Sequence, residues 1–119
     1  MIRLDSTTRK LQVVMDSSAS ASNGEVMVTF FDISLNGTQT RGATKLSAMS
    51  GATDVDICDA PTQNFIRNID GITAFNKDTA THIITIKIDD AGAETILMKQ
   101  SVTTLKTLAY EDKAGWYQI

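Results

Sequence analysis

The sequence predicts an all-β domain, an antiparallel β-sandwich with a jelly-roll-like arrangement of seven to nine short strands. Three observations predict this class. Ile, Val and Thr together supply 34 of the 119 residues, against 7 Leu and 12 Ala, and this excess of β-branched side chains favours strands over helices. Apolar and polar residues alternate with a period of two in several segments. Turn-forming groups separate those segments at short intervals, as in sandwiches and barrels.

The strand pattern recurs along most of the chain. The predicted strands cover residues 9–15, 25–33, 54–58, 64–69, 72–76, 82–89, 94–99, 105–110 and 116–119. Turn formers separate them at 36–37, 59–61, 70–71, 76–78 and 113–115. Residues 41–52 follow no period, so we expect a loop or an irregular edge strand there, with a short helix over 44–49 as the alternative.

The clearest element is a β-hairpin formed by residues 82–89 and 93–99. Alternation is regular on both sides, and Gly92 supplies a residue that accepts positive φ in the connection. We expect the hairpin to direct the following side chains inward: Ile84, Ile86, Ile88, Ile96 and Met98. Ile83 and Leu97 would then lie on the opposite faces.

The length of 119 residues predicts a single domain with one core. Residues 1–15 are expected to form an amino-terminal arm and the first strand, 16–24 a flexible connector of small polar residues, and 25–119 the sandwich. Hydrophobic residues make up 42% and charged residues 21%, which is a globular composition.

Charge and hydropathy exclude several classes of partner. The net charge is −3 and the basic residues are scattered, so no positive field predicts binding to nucleic acid. No apolar run has the roughly 20 residues of a membrane span, and the first residues lack the pattern of a signal peptide. We therefore expect no membrane partner and folding in the cytosol of the cell that makes the protein.

No group of residues predicts catalysis. Cys58 is the only cysteine and His82 the only histidine, and the strand pattern around Cys58 indicates a buried thiol rather than a nucleophile. A single cysteine also excludes an intrachain disulfide. We expect no catalytic residue, no cofactor and no small-molecule substrate.

Acidic and aromatic residues leave two alternatives to consider. Asp54, Asp56 and Asp59, or Asp89 with Asp90, carry the oxygen ligands of a hard cation, but their alternation with apolar residues favours a solvated strand face, so no metal is predicted. Trp116 and Tyr117 are the candidates for a sugar-stacking platform, although core packing is the simpler use of such residues.

Both ends of the chain resemble a family of small virion proteins of tailed bacteriophages. The opening residues 2–14 match an apolar-x-Leu-Asp-Ser/Thr-Thr-Thr pattern that runs into a Leu-x-Val-Val strand. Residues 75–80, 85–90 and 108–112 before Gly115-Trp116 match its Asn-x-Asp turn, hairpin, Tyr-Glu-Asp strand end and Gly-Trp. Residues 36–59 lie outside the resemblance, and 101–104 replace a Pro-Gly turn.

The resemblance implies a β-sandwich that builds the phage particle. The expected function is capsid decoration (cement) on the virion surface, with a component of the neck or tail as the alternative. It further implies a homotrimer that binds the major capsid protein and is made in the cytoplasm of the host bacterium. The competing class is a carbohydrate- or receptor-binding β-module.

We expect the contacts with partners to involve two sets of residues. The arm contributes candidates for binding the capsid or a neighbouring subunit, because its apolar residues alternate as in an added edge strand: Ile2, Arg3, Leu4, Asp5, Thr7 and Thr8. The second faces of the strands contribute candidates for intersubunit contacts: Ile83, Leu97, Phe31, Met27 and Ile33.

Overall fold

A computed structural model describes all residues, 1–119, as an all-β sandwich of ten strands with no helix. The strands are β1 (Ile2–Leu4), β2 (Arg9–Met15), β3 (Glu25–Ser34), β4 (Ala43–Ala48), β5 (Val55–Cys58), β6 (Phe65–Phe75), β7 (His82–Asp90), β8 (Ala93–Val102), β9 (Thr107–Glu111) and β10 (Gly115–Gln118). Two antiparallel sheets pack face to face, which confirms the predicted fold class. No helix long and apolar enough for a membrane span occurs.

Sheet A has the strand order β10-β9-β6-β3-β4, and sheet B has the order β5-β2-β7-β8. β1 joins sheet A by pairing with β6 at Ile69, Asn68 and Arg67. β9 pairs with the other half of the same β6 edge, from Gly71 to Phe75. The amino-terminal strand therefore completes an edge that β9 covers only in part.

The core lies between the two sheets and is filled by branched aliphatic side chains from both of them. Its fully buried members include Leu4, Leu11, Val28, Ile57, Ile72, Ile84 and Ile86. Burying each such side chain contributes about 1.5 to 3 kcal/mol before chain entropy is subtracted. The period-two pattern thus produces the expected sandwich because one face of each sheet is removed from water.

The hairpin of β7 and β8 confirms part of the predicted inward set. Ile84 and Ile86 are fully buried, and Ile88 and Met98 pack against the core. Ala91 and Gly92 both have positive φ, as a tight hairpin turn requires.

The expectations that Ile96 points inward and Leu97 outward are wrong. Ile86 pairs with Met98 but Lys87 pairs with Ile96, so Leu97 is an extra residue in a β-bulge. A bulge shifts the side-chain phase of the strand that carries it. Leu97 consequently packs against the core, whereas Ile96 is 58% exposed.

One further local expectation is wrong, and another, the edge strand within residues 41–52, is confirmed. The predicted turn at 70–71 is a register shift inside one long strand, β6, where Asp70 is the extra residue between the pairs of Ile69 and Gly71. Residues 41–52 contain the edge strand β4 and no helix, because β3 offers a free edge that Ala43–Ala48 pairs in full.

Candidate functional site

The amino-terminal residues predicted to bind partners are folded onto their own sheet. Ile2 and Leu4 face the core, and the backbone N–H of Ile2 donates to the Tyr110 hydroxyl at 3.1 Å. The amino-terminal segment thus lies along the edge of its own sheet, with these two apolar side chains buried. Binding through the exposed members of the set stays a prediction: Arg3, Asp5, Thr7 and Thr8.

The turn that follows β1 is fixed by side-chain contacts. The Thr8 hydroxyl donates to Asp90 at 2.5 Å, and the Arg9 guanidinium donates to Asp90 at 2.9 Å and also to Asp5. These contacts tie the turn to the tip of the β7–β8 hairpin. The exposed residues of the first turn therefore stand on a defined corner of the sandwich.

The outer face of sheet A carries a row of five side chains that share one level across its strands. Ladder pairing places them opposite one another in the order Tyr117, Ala109, Thr73, Met27 and Leu46. None is charged. Leu46 is 75% exposed and Met27 is 40% exposed. We call these five residues the uncharged row.

Two hollows lie along the uncharged row. One, of about 440 Å³, is bordered by Tyr117, Ala109 and Met27 and also by charged residues: Asp70, Glu111, Asp112 and Lys113. The other, of about 660 Å³, is bordered by Met27, Leu46 and Phe75. The small side chains of Ala109 and Thr73 lie between Tyr117 and Met27, so the first hollow separates larger side chains, whereas Met27 and Leu46 are direct neighbours.

The outer face of sheet B is covered by paired charges. Lys10 contacts Asp56 at 3.1 Å and Asp89 at 4.0 Å. Lys87 contacts Asp54 at 2.9 Å and Glu94 at 2.8 Å, and it is only 6% exposed. We call these two lysines and their four acids the ion-pair lattice.

Contacts within the lattice shift the pKa values of Lys10, Lys87 and Asp56. Burial lowers the pKa of Lys87, but the contacts with Glu94 and Asp54 more than offset it and the net shift is upward. The hydrogen bond from Gln12, with the help of Lys10, lowers the pKa of Asp56. The pKa of Lys10 is raised as well, chiefly by its hydrogen bond to Asp56, so the contacts favour the charged forms of Lys10, Lys87 and Asp56.

The acids considered as cation ligands are used in these contacts. Asp54, Asp56 and Asp89 belong to the lattice, Asp90 binds Thr8 and Arg9, and Asp59 faces Lys45 at 3.4 Å. No group of three or more metal-ligating side chains occurs in the structure.

The candidates for intersubunit contact are divided between the two faces. Ile83 is 36% exposed and pairs with Ser101, on the outer face of sheet B. Phe31 alternates with the core-packed Phe30 and lies half-buried on the outer face of sheet A, as does Ile33, and Met27 is exposed on the same face. Leu97 leaves the set because it packs against the core.

One buried polar cluster was not anticipated as a unit. His82 is 2% exposed, and its Nε2 lies 2.6 Å from Asp78 while its Nδ1 lies 3.0 Å from Asp16. The fully buried Asp78 carboxylate also accepts backbone N–H groups of residues 20, 21 and 22, at 2.8, 2.7 and 3.2 Å. We call Asp16, Asp78 and His82 the histidine clasp.

The clasp anchors the segment that was expected to be a flexible connector. Because three consecutive N–H groups of that segment bind Asp78, its backbone is held against the turn after β6. Burial lowers the pKa of His82, but the hydrogen bonds to Asp78 and Asp16 raise it by more, so the net shift is upward. The hydrogen bond from His82 holds the pKa of Asp78 well below its usual range, and it lowers that of Asp16 as well.

The single cysteine and the single histidine, which would have to act together in catalysis, lie far apart. Cys58 pairs with Leu11, and Leu11 pairs with Ile88 of β7. His82 lies six residues before Ile88 in the same strand, which places it about 20 Å from Ile88 at about 3.3 Å per residue. Burial raises the pKa of the Cys58 thiol, which is the opposite of activation.

Trp116 and Tyr117 do not form a common platform. Trp116 packs against the core and against Tyr110, with ring centroids 5.0 Å apart. Tyr117 points to the outer face, where its hydroxyl donates to Glu111 at 2.6 Å. Consecutive strand residues point to opposite faces, so the sequence neighbours are separated by the sheet itself.

Comparisons of the chain with protein-family models, curated proteins and solved structures found no match. The geometry defines an antiparallel β-sandwich with ion pairs on the outer face of sheet B and an uncharged row of side chains across the outer face of sheet A.

Proposed function

We propose that this protein is a structural component of a tailed-phage virion, a capsid decoration (cement) protein that bridges neighbouring capsid subunits. The resemblance of its two ends to tailed-phage virion proteins supports the assignment to a phage particle. The uncharged row on sheet A is the observation that most supports a role in contact. Exposed apolar side chains grouped on one face of a small domain mark an interaction surface.

A cement protein acts by burying surface on several neighbours at once. Individually modest contacts then add through multivalency, since the second and third contacts form at high effective concentration. We expect a homotrimer at a junction of capsid subunits, so that three equivalent copies hold three neighbours. This role requires no cofactor, no nucleic acid and no small-molecule substrate.

We propose that the capsid contacts the corner formed by the first turn. Arg3, Asp5 and Thr7 are exposed there. Leu4 pairs with Arg67 and Ser34 with Phe65, so the connection after β3, with Leu35 exposed at 72%, leaves the sandwich at the same end. Polar groups and one large apolar side chain thus share this end of the molecule.

Phage particles that lack the protein test the assignment. They should assemble, but they should release DNA at a lower temperature or after milder osmotic shock, and added protein should restore stability. Antibody labelling of complete particles should place the protein on the head. Labelling only at the neck or tail, with unchanged head stability, would transfer the assignment there, and glycan binding by a soluble monomer would end the cement proposal.

Charge reversal at the corner tests the capsid contact. Arg3→Glu should weaken binding to stripped particles, whereas Lys99→Glu makes the same change of charge on an exposed position of sheet B and should bind normally. Point variants replace deletion of residues 1–8, because deletion would also remove the fully buried Leu4 from the core. Equal binding by both variants would exclude this corner.

A further inference from the structure

Sheet A is wider than sheet B, and one of its edges extends past the smaller sheet. Five strands lie across sheet A and four across sheet B. β5 packs against β3 and β4 on one side of the sandwich, and β8 packs against β9 on the other. β10 therefore extends beyond β8, the last strand of sheet B. The place opposite β10 is where a fifth strand of sheet B would lie.

A hollow of about 270 Å³ lies between β8 and β10 at this side. It is bordered by six uncharged side chains: Met98, Gln100, Leu108, Trp116, Tyr117 and Gln118. Gln100 pairs with the fully buried Ile84 and so faces inward, yet it is exposed, because no strand covers this side of the core. A cavity of about 150 Å³ admits benzene, so the hollow has room for one large apolar side chain.

The backbone of β8 offers hydrogen-bonding groups beside the hollow. The Asp16 N–H donates to the Ile83 carbonyl at 3.0 Å, so the polar backbone groups of Ile83 point toward β2. Its partner Ser101 consequently directs its N–H and C=O away from β7, because hydrogen-bonded and non-hydrogen-bonded pairs alternate along a ladder. The Gln118 side-chain amide donates to this Ser101 carbonyl at 2.9 Å. A side chain thus binds a group that a neighbouring strand would otherwise bind.

The other sheet edges are less suited to an added strand. At the β4 edge, Lys45 pairs with the buried Val28 and therefore points inward, where it lies 3.4 Å from Asp59. An inward charge protects an edge from pairing. β1, β5 and β10 have only three or four residues. β8 has ten, and although the bulge at Leu97 interrupts it, residues 98–102 beside the hollow pair regularly with β7.

We propose that the edge of β8 at residues 98–102 accepts an extended segment of another polypeptide, which pairs as a fifth strand of sheet B and places one large apolar side chain in the hollow against Trp116. The free backbone groups specify a polypeptide main chain as the ligand. The uncharged lining specifies an apolar side chain at the buried position, because a charge would lose its hydration there without a partner. The inference stands on the edge and the hollow and does not depend on the proposed function.

Synthetic peptides of about eight residues, in which Thr alternates with Val, Ile, Leu or Phe, are the probe for this edge. Trp116 is the only tryptophan, so a side chain that enters the hollow and excludes water should shift the protein fluorescence to shorter wavelength. Pairing with β8 should also slow hydrogen exchange of the Ser101 amide, measured by NMR. At least one peptide should produce both signals, and the two should saturate together.

Two variants and a control locate the binding. Ser101→Pro removes an N–H that points away from β7, which an edge strand tolerates, and it should weaken peptide binding by at least about tenfold. Gln100→Glu places a charge at the mouth of the hollow and should weaken binding to a similar extent. Gln39→Glu makes the same change of charge at an exposed position in the connection after β3, and it should bind as the wild type does.

Three results would overturn the inference. The first is the absence of both signals with every peptide up to millimolar concentration. The second is a fluorescence shift without slower exchange at Ser101, because a ligand in the hollow would then not pair with the strand. The third is wild-type binding by Gln100→Glu and Ser101→Pro, which would place the peptide on another edge. If Ser101→Pro does not fold, Gln100→Glu at its exposed position decides alone. Binding to phage particles is measured separately and changes none of these outcomes.

Discussion

The outer faces of the two sheets are built alike but differ in chemistry. In both, every second residue of a strand points away from a shared aliphatic core. On sheet B those positions hold Lys10 and Lys87, each placed between two carboxylates. On sheet A the equivalent positions hold the uncharged row, in which Met27 and Leu46 are exposed.

The difference shows how one sandwich can favour contact on one side and solvent on the other. Covering the ion-pair lattice with a partner would remove water from six charges, a cost that new contacts rarely repay. Covering the uncharged row removes water from apolar atoms, which is favourable at about 25 cal/mol per Å². The lattice therefore acts against association, and the row acts for it.

The largest expected effect tests the core that both faces share. Ile86→Asp should abolish folding, because an unpaired carboxylate would replace a fully buried side chain between the sheets. Ile96→Asp, on the neighbouring strand but outward, should change the free energy of unfolding by less than about 0.5 kcal/mol. Circular dichroism with thermal melting measures both. A cooperative melt for Ile86→Asp would contradict the assignment of the inner face.

The histidine clasp joins the end of sheet B to the turn that leaves sheet A. His82→Ala removes both hydrogen bonds of the imidazole and leaves Asp78 buried without that partner. We expect a loss of about 2 to 3 kcal/mol in the free energy of unfolding, measured by urea titration. Thr79→Ala, an exposed position in the same turn, is the control and should melt as the wild type does.

The clasp also predicts how stability depends on pH. The folded-state pKa of His82 lies above its ordinary value of 6.5, so its contribution is complete below that pH and is lost as the pH rises through the folded pKa. The pKa values of Asp16 and Asp78 are lowered, so their contributions persist above about 3.8 and are lost on acidification. The urea concentration at the unfolding midpoint should therefore decrease in the wild type as the pH is raised through the folded pKa of His82. The variant His82→Ala should not show this decrease.

A smaller effect separates the two outer faces directly. Lys87→Ala leaves Asp54 and Glu94 facing each other without their cation, and we expect a loss of about 1 to 2 kcal/mol. Thr73→Ala at the centre of sheet A should cost less than about 1 kcal/mol in the monomer. Equal losses in urea titrations would mean that the lattice does not distinguish the faces.

The smallest effect concerns screening. The lattice is partly exposed to solvent, so added salt should weaken it by less than about 1 kcal/mol. Lys87→Ala should reduce the salt dependence of the wild-type midpoint, whereas Met27→Ala should leave it unchanged. A salt dependence that is the same in all three proteins would locate the screened charges outside the lattice.

The sequence alone was sufficient for the fold class and for most strands. Alternation in residues 82–89 correctly predicted the burial of Ile84 and Ile86, because burial of one face imposes a period of two on any strand. It also predicted that Met27, Phe31 and Ile33 share a face. The resemblance to phage virion proteins remains an expectation about function that the fold does not test.

Tertiary structure determined the features that depend on contacts between residues far apart in the sequence. The bulge at Leu97 reverses the faces of Leu97 and Ile96, and it depends on the register with β7. The histidine clasp joins residues 16, 78 and 82, and the uncharged row joins five strands, through pairings between distant parts of the chain. Alternation states which residues share a face of one strand, but only pairing and packing determine which strands lie side by side and which face meets solvent.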